Sequence, residues 1–265
     1  MSLTSTDERP SAVTAAAGAF RLNLLALILG MLAWGVAGSA LALDGGPDVP
    51  RLVSFGGTCR NCELAGRKLI GAKFIGANFA GASMTGCDLR GASFVGSNFT
   101  GADLGKADVR GASMQGARFL LANFTDASLA GLEAQGVEFA HANFTRAVFT
   151  DAELEGANLT RVDARGANFA GANLTGATLS AGRFDAASFR GSKLTAANLS
   201  DGAFAEADFK NAELVGATLA GADLGAAYNL TQHQLDLACV DTRTKLPAGL
   251  SGRPCSGHSR RPAAP

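Results

Sequence analysis

Proline is missing from the middle of this chain: all seven prolines lie at position 50 or before, or at position 247 or after. Every backbone N–H between them can therefore enter a hydrogen-bonded ladder. An excess of either charge is also missing. The 23 basic residues balance 23 acidic ones, which excludes both a basic nucleic-acid binder and a strongly acidic mimic of nucleic acid. Histidine is scarce: His141, His233 and His258 lie far apart and have no Cys or Ser partner, so nucleophilic catalysis has no candidates. One Trp and one Tyr against 16 Phe make the aromatic set almost wholly phenylalanine. What is abundant is Gly, at 34 residues, and apolar side chains, at 47% of the chain, enough for a sizeable core.

The longest stretch without charge runs from Leu22 to Leu43, with its most apolar part at Leu24 to Trp34. That part has the length of a signal-peptide core, small residues follow it, and Ala40-Leu41-Ala42 has the A-x-A form of a cleavage site. Cleavage after Ala42 is the expectation. The alternative is an uncleaved anchor, since 22 uncharged residues can span a bilayer core of about 30 Å. Either reading places the remainder outside the cytoplasm, in the periplasm or otherwise exported, or membrane-anchored with the repeat domain outside.

From Leu64 to Leu224 a large apolar residue returns at every fifth position through 33 units, and only Ala134 and Ala164 lack a large side chain there. Two residues earlier lies a small one, usually Ala, as at Ala72, Ala77 and Ala82. Between the two sits a polar residue, often Asn, Asp or Ser, and Gly commonly closes the unit. Five is neither 3.6 nor 2, so neither an amphipathic helix nor an alternating strand keeps these residues on one face. A chain turning by about a quarter-circle per unit does, with the large and small residues inward and the polar one outward. Four units make a coil of twenty residues, and eight coils spaced by about 4.8 Å span about 40 Å. Sorting the units by fours collects Phe79, Phe99, Phe119 and Phe139 into one expected core stack. Leu132 before Ala134, and Val162 before Ala164, restore the volume that those two alanines omit.

Blocks such as GANFA, GADLG, GANLT and GATLA resemble the pentapeptide repeat family, whose A-(N/D)-L-x-x consensus the chain follows from about residue 62 to 226. The resemblance implies an all-β fold, a right-handed quadrilateral β-helix or solenoid of about eight coils. The expected organisation is a signal peptide or anchor (1–42), an amino-terminal cap (43–61), the repeats (62–226), a carboxy-terminal cap with a short helix (227–252) and a disordered tail (253–265). Thr231-Gln-His-Gln234 reads as a capping box at the start of that helix. Residues 238–247 resemble the carboxy-terminal cap of many bacterial members.

In an exported protein the five cysteines are free to pair. Cys239 and Cys255 flank a Pro- and Gly-containing loop and are disulfide candidates. Cys59-Arg-Asn-Cys62 has three readings: a local disulfide, half of a zinc site, or a redox pair. No second pair at metal spacing and no thioredoxin-like pattern accompanies it. Cys87 falls at a small inward position and reads as core.

Seven Asn-x-Ser/Thr sequons, at Asn98, Asn123, Asn143, Asn158, Asn173, Asn198 and Asn229, are products of the repeat register and weak glycosylation signals. Asp88 with Arg90, Asp108 with Arg110, and Asp208 with Lys210 read as a self-neutralising solvated side. Ile70, Ile75 and Val95 are expected to point outward together and form a candidate partner patch. The function expected is a non-enzymatic exported scaffold that offers a flat surface to a protein partner, with no catalytic, metal or cofactor residues and no nucleic acid. Membrane contact is expected only if the amino-terminal segment stays uncleaved. The family resemblance adds an alternative, a DNA-mimic-like binder of DNA gyrase. The near-neutral repeats and the export signal oppose it.

Overall fold

The computed structural model describes residues 57–255. The expected signal or anchor, most of the expected amino-terminal cap and residues 256–265 lie outside the described residues. From Thr58 to Tyr228 the backbone repeats one five-residue cycle, in which a single bridge residue is followed by the large residue and a two-residue turn. Each bridge residue from Thr58 to Asp208 pairs in parallel with the residue twenty positions on: Asn78 with Asn98, Asn98 with Arg118, Asp103 with Asn123. Twenty-residue stretches, called tiers below, therefore lie on one another in register. Thr58 already pairs with Asn78, so the register begins inside the segment expected to be a cap.

The expectation of an all-β, right-handed quadrilateral β-helix or solenoid is corrected by the secondary structure. Across the repeats no run of strand residues forms. Each link between tiers is an isolated one-residue bridge between turns. The regular strands among the described residues are two residues each, β1 (Cys239–Val240) and β2 (Arg253–Pro254), and they make one open, two-stranded parallel sheet. The reason lies in the unit itself. Two of its five residues are spent on the turn, leaving only the polar one with a paired neighbour on either side. The repeats are thus turn and coil joined by single bridges.

Each unit nevertheless accounts for its backbone donors. The large residue donates to the carbonyl of the polar residue in the next tier (Phe79 N to Asn98 O, 2.7 Å), and the polar residue donates back to the preceding tier (Asn98 N to Ala77 O, 2.8 Å). The second turn residue donates forward (Gly81 N to Thr100 O, 2.9 Å), and the small residue closes the turn (Ala82 N to Phe79 O, 3.0 Å). One N–H remains, on the residue after the large one. Where the polar place holds Asn or Asp, the side chain two positions earlier takes it: Asn98 Oδ1 accepts from Thr100 N at 3.0 Å, and Asp103 Oδ1 from Gly105 N at 2.9 Å. This is why Asn and Asp recur in the polar place. The second turn residue holds a positive φ, which suits Gly; where the chain puts Leu121 or Ala181 there, φ is still 59° and 55°.

The large and small residues fill the interior. Phe79, Phe99, Phe119 and Phe139 lie in one column with successive ring centroids 5.1, 4.9 and 5.4 Å apart. A second column, Phe149, Phe169, Phe189 and Phe209, repeats at 4.8, 5.2 and 5.1 Å. Rings of neighbouring columns meet edge to face, as Phe74 does with Phe79 and Phe139 with Phe144. Leu132 and Val162 are buried beside Ala134 and Ala164. Gly182 and Gly202 make room for Phe184 and Phe204, since a Cβ would stand 2.5 and 2.6 Å from their rings.

The last tier is closed by a different set of parts. Helix α1 (Gln232–Leu237) starts at Thr231 with a capping box shared with Gln234, and it buries Leu235. The Gln234 Nε2 group donates to the carbonyls of Phe209 and Ala212, at 2.8 and 2.9 Å. Beyond α1, Cys239 and Lys245 stand where a next tier would be: Leu219 N donates to Cys239 O (2.8 Å) and Leu224 N to Lys245 O (2.9 Å). Arg253 and Pro254, expected in a disordered tail, form β2 instead and pair with Cys239 and Val240. Proline lacks an N–H, so its place on this edge strand prevents further pairing there.

Phe119 is fully buried between Phe99 and Phe139, while Arg118 is exposed. Phe119→Asp is expected to abolish the cooperative thermal transition, because it leaves an unpaired charge among rings. Arg118→Asp is expected to change stability by about 0.5 kcal/mol or less. Equal melting of the two variants by circular dichroism would refute this assignment of inside and outside.

Candidate interaction surface

The outward side chains come from two places in each unit, the bridge residue and the residue after the large one. Register four units apart sorts them onto four sides. Asp88 and Arg90, and Asp108 and Arg110, form two-point ion pairs on one side, with closest contacts of 2.7 and 2.6 Å. Arg90 also lies 3.8 Å from Asp108 in the next tier. The Arg90 guanidinium holds the Asp88 carboxyl below the usual carboxylate range, and Arg110 does the same for Asp108. Asp208, expected to pair with Lys210, instead meets Arg190 at 2.8 Å and Asn229 at 2.8 Å; Lys210 contributes only its backbone N–H. The cause is geometric: Arg190 stands one tier below Lys210 in the same column and reaches across.

Every ion pair found among the described residues uses an aspartate. The glutamates of the middle tiers take amide donors instead, Glu138 from Asn158 (2.8 Å) and Glu153 from Asn173 (2.9 Å). The sequons are turn devices in the same scheme. In Asn98, Asn123, Asn143 and Asn173 the Oδ1 atom accepts both the N–H and the hydroxyl of the threonine two residues on.

The sequence-derived site residues fall into three separate places. Phe79, Phe99, Phe119 and Phe139 are buried and reach no surface. Ile70, Ile75 and Val95 are exposed, by 40, 52 and 37%, and occupy the first two tiers. Cys59 is bonded to Cys62 at the first tier, and Cys239 to Cys255 at the last. The first of these bonds is the local disulfide read from the C-x-x-C and leaves no thiolates there for zinc; the oxidised form of a redox pair carries the same bond. Cys87 is free and buried; its thiol donates to Leu64 O at 2.9 Å, and burial pushes its pKa up. Sequence spacing did not reveal the exposed Leu121, Val215, Tyr228 and Leu237. Leu121 sits at a turn position where Gly is the rule, and that was the one available signal.

No group of three or more His, Cys, Asp or Glu that could hold a metal occurs among the described residues, and none of their helices is long and apolar enough to cross a membrane. The most highly connected polar group belongs to the cap. Asp241 accepts from Gly221 N (2.8 Å), Arg243 N (3.0 Å), the Arg243 guanidinium (3.0 Å) and the Thr244 hydroxyl (3.0 Å), while Arg243 also reaches Asp201 at 2.7 Å. Desolvation alone would raise the Asp241 pKa. The hydrogen bonds outweigh it and lower the value from 3.8 to about 2.

Two predictions concern this cap. A carboxylate with a depressed pKa contributes stability above its unfolded value and loses it as pH falls through the folded one. Asp241→Asn is therefore expected to lower Tm at pH 5–7, with the gap from wild type closing as pH approaches 2. A constant gap in pH-dependent melts would refute the role of the charge. Replacing Cys239 and Cys255 together by Ser is expected to cost about 3 kcal/mol in oxidising buffer and nothing measurable under reductant, on the chain-entropy estimate for a loop of this size. Equal melting in both buffers would show that the bond is not holding the cap.

The chain matches the family described as Pentapeptide repeats in eight overlapping copies, at residues 59–94, 68–105, 92–129, 102–139, 122–161, 142–180, 152–191 and 187–227. No curated protein matches. Among solved structures, HetL, a pentapeptide repeat protein involved in heterocyst differentiation regulation from the cyanobacterium Nostoc sp., is 24% identical; the match covers 72% of this chain and 90% of that one, with a TM-score of 0.37. Full-length QnrB1, a plasmid-mediated fluoroquinolone resistance protein, is 19% identical over 70% of this chain and 94% of its own, with a TM-score of 0.28. A pentapeptide repeat protein of the Arabidopsis thaliana thylakoid lumen is 27% identical over 49% of this chain and 66% of its own, with a TM-score of 0.20. Structural likeness at these scores carries no functional argument. The eight copies span well over half of the chain, and on that ground it belongs to the pentapeptide repeat family.

Proposed function

We propose that this chain is an exported, non-enzymatic scaffold whose sides bind a protein partner. The observation that carries the reading is the division of labour within the unit: from Ala72 to Leu224 every inward position is apolar, Gly, the buried Cys87, or one of the buried serines Ser97 and Ser192, and the carboxylates and basic groups are left to the outward positions. A molecule so built offers surface and no enclosed chemistry. Flat, ordered polar sides suit recognition by complementary charge and hydrogen bonding. Export is supported by the apolar run before Ala40-Leu41-Ala42 and by the two disulfides, which are bonds of oxidising compartments. The gyrase-binding alternative has no supporting observation, because residues 60–226 hold 15 basic and 17 acidic side chains, far from the charge of a duplex.

Both halves of the reading are testable. Amino-terminal sequencing of protein recovered from a Gram-negative periplasm is expected to begin at or near Leu43, and full-length protein in the cytosol would refute export. A photo-crosslinking residue at Ser128, Glu133, Glu138 or Asn143 samples the four sides one at a time. In intact cells one position, or two adjacent ones, is expected to yield a discrete adduct of a single size. No adduct from any of the four, or the same smear from all, would refute a partner-specific side.

A further inference from the structure

We propose that the first two tiers dock on an anionic lipid surface through the corner that carries Ile70, Ile75 and Val95. Three of the seven large hydrophobic residues exposed among the described residues lie here, and Val95 stands one tier above Ile75 in the same column. Each isoleucine is preceded by a lysine two positions earlier. Lys68 and Lys73 are exposed and enter no ion pair among the described residues, whereas Arg90, on the same corner one tier up, is held by Asp88. Charge is distributed unequally along the described residues. Residues 57–95 carry five basic and two acidic side chains; residues 96–255 carry thirteen and seventeen. The first two tiers are therefore the positive end of the described residues, and they also carry the exposed isoleucines.

Alternating lysine and isoleucine is the chemistry of a bilayer interface. Apolar side chains enter the acyl boundary while the ammonium groups stay among lipid phosphates. A protein partner is the weaker fit, because the patch has no aromatic side chain to act as a central anchor. The inference rests on the export reading, in which the chain crosses a membrane and then faces its outer surface.

The test uses the full chain bearing Ile75→Cys labelled with a polarity-sensitive fluorophore, and a second variant labelled at Val215→Cys, in the same column at the opposite end. Each is reconstituted in vesicles of phosphatidylcholine alone and of equal parts phosphatidylcholine and phosphatidylglycerol. The expected result is a blue shift and reduced iodide quenching at position 75 only with phosphatidylglycerol, and no change at position 215. Adding Lys68→Glu and Lys73→Glu is expected to weaken this response by roughly tenfold, judged by the phosphatidylglycerol content needed for it. A melt of the charge-reversed protein checks that it remains folded. The proposal is overturned by equal signals in both lipids, by a response that survives charge reversal, or by an equal shift at position 215. Failure of the export reading shows separately, in the amino-terminal sequence of the recovered protein.

Discussion

Everything in this molecule depends on finding an acceptor for each of five backbone N–H groups per unit. Three are satisfied by neighbouring tiers and one by the turn, through bonds such as those of Phe79, Gly81, Ala82 and Asn98. The fifth has no backbone partner and, wherever the polar place holds Asn or Asp, is met by that side chain two residues earlier. The absence of proline and the excess of Asn and Asp are two expressions of this one requirement. Proline would delete a donor and leave an acceptor in the next tier unpaired, and an apolar residue in the Asn place would leave a donor to solvent alone.

The same accounting sets what the interior can vary. Because the backbone path is fixed by the ladder, volume has to be conserved locally. Leu132 compensates for Ala134, Val162 for Ala164, and Gly182 and Gly202 yield their Cβ space to Phe184 and Phe204. Like residues stack because consecutive tiers offer the same slot at the same spacing, so the column that starts with phenylalanines at 79, 99, 119 and 139 can change to leucine only between tiers. Serine is admitted at 97 and 192 because each hydroxyl reaches a carbonyl, Phe74 O and Phe189 O respectively.

The inside and outside of the repeats were legible from spacing, because a large residue at every fifth position admits few other readings. The secondary-structure class was not. A period of five does not say whether three residues of each unit extend into a strand, and here only one pairs, so bridges replace strands. The termination at the carboxy-terminal end was half legible. Thr231 and Gln234 announced a helix start, but nothing in the spacing showed that Gln234 would also reach Phe209 O and Ala212 O, or that Arg253 and Pro254 would order against Cys239 and Val240. Both depend on contacts between residues far apart in the chain, which local pattern does not encode. Asp208 illustrates the same limit on the surface. The i, i+2 pairing read for Asp88 and Asp108 gives way at Lys210 to an arginine one tier away.

A repeating backbone makes the two ends, and the deviations between them, the only places where the molecule differs from itself. Many outward groups of the middle tiers are bonded to one another: aspartates to arginines, glutamates to amides, and asparagine oxygens to threonine hydroxyls. Groups already bonded within the molecule are held in place, so a protein partner that matches them meets an ordered surface and orders few side chains on binding. The carboxy-terminal end is closed by a helix, a disulfide and a proline-bearing edge strand. The first two tiers keep both kinds of uncommitted side chain at once, apolar groups at Ile70, Ile75 and Val95 and cations outside any ion pair at Lys68 and Lys73. The combination of exposed isoleucines with lysines two residues before them is confined to those first two tiers, and it is the clearest asymmetry among the described residues.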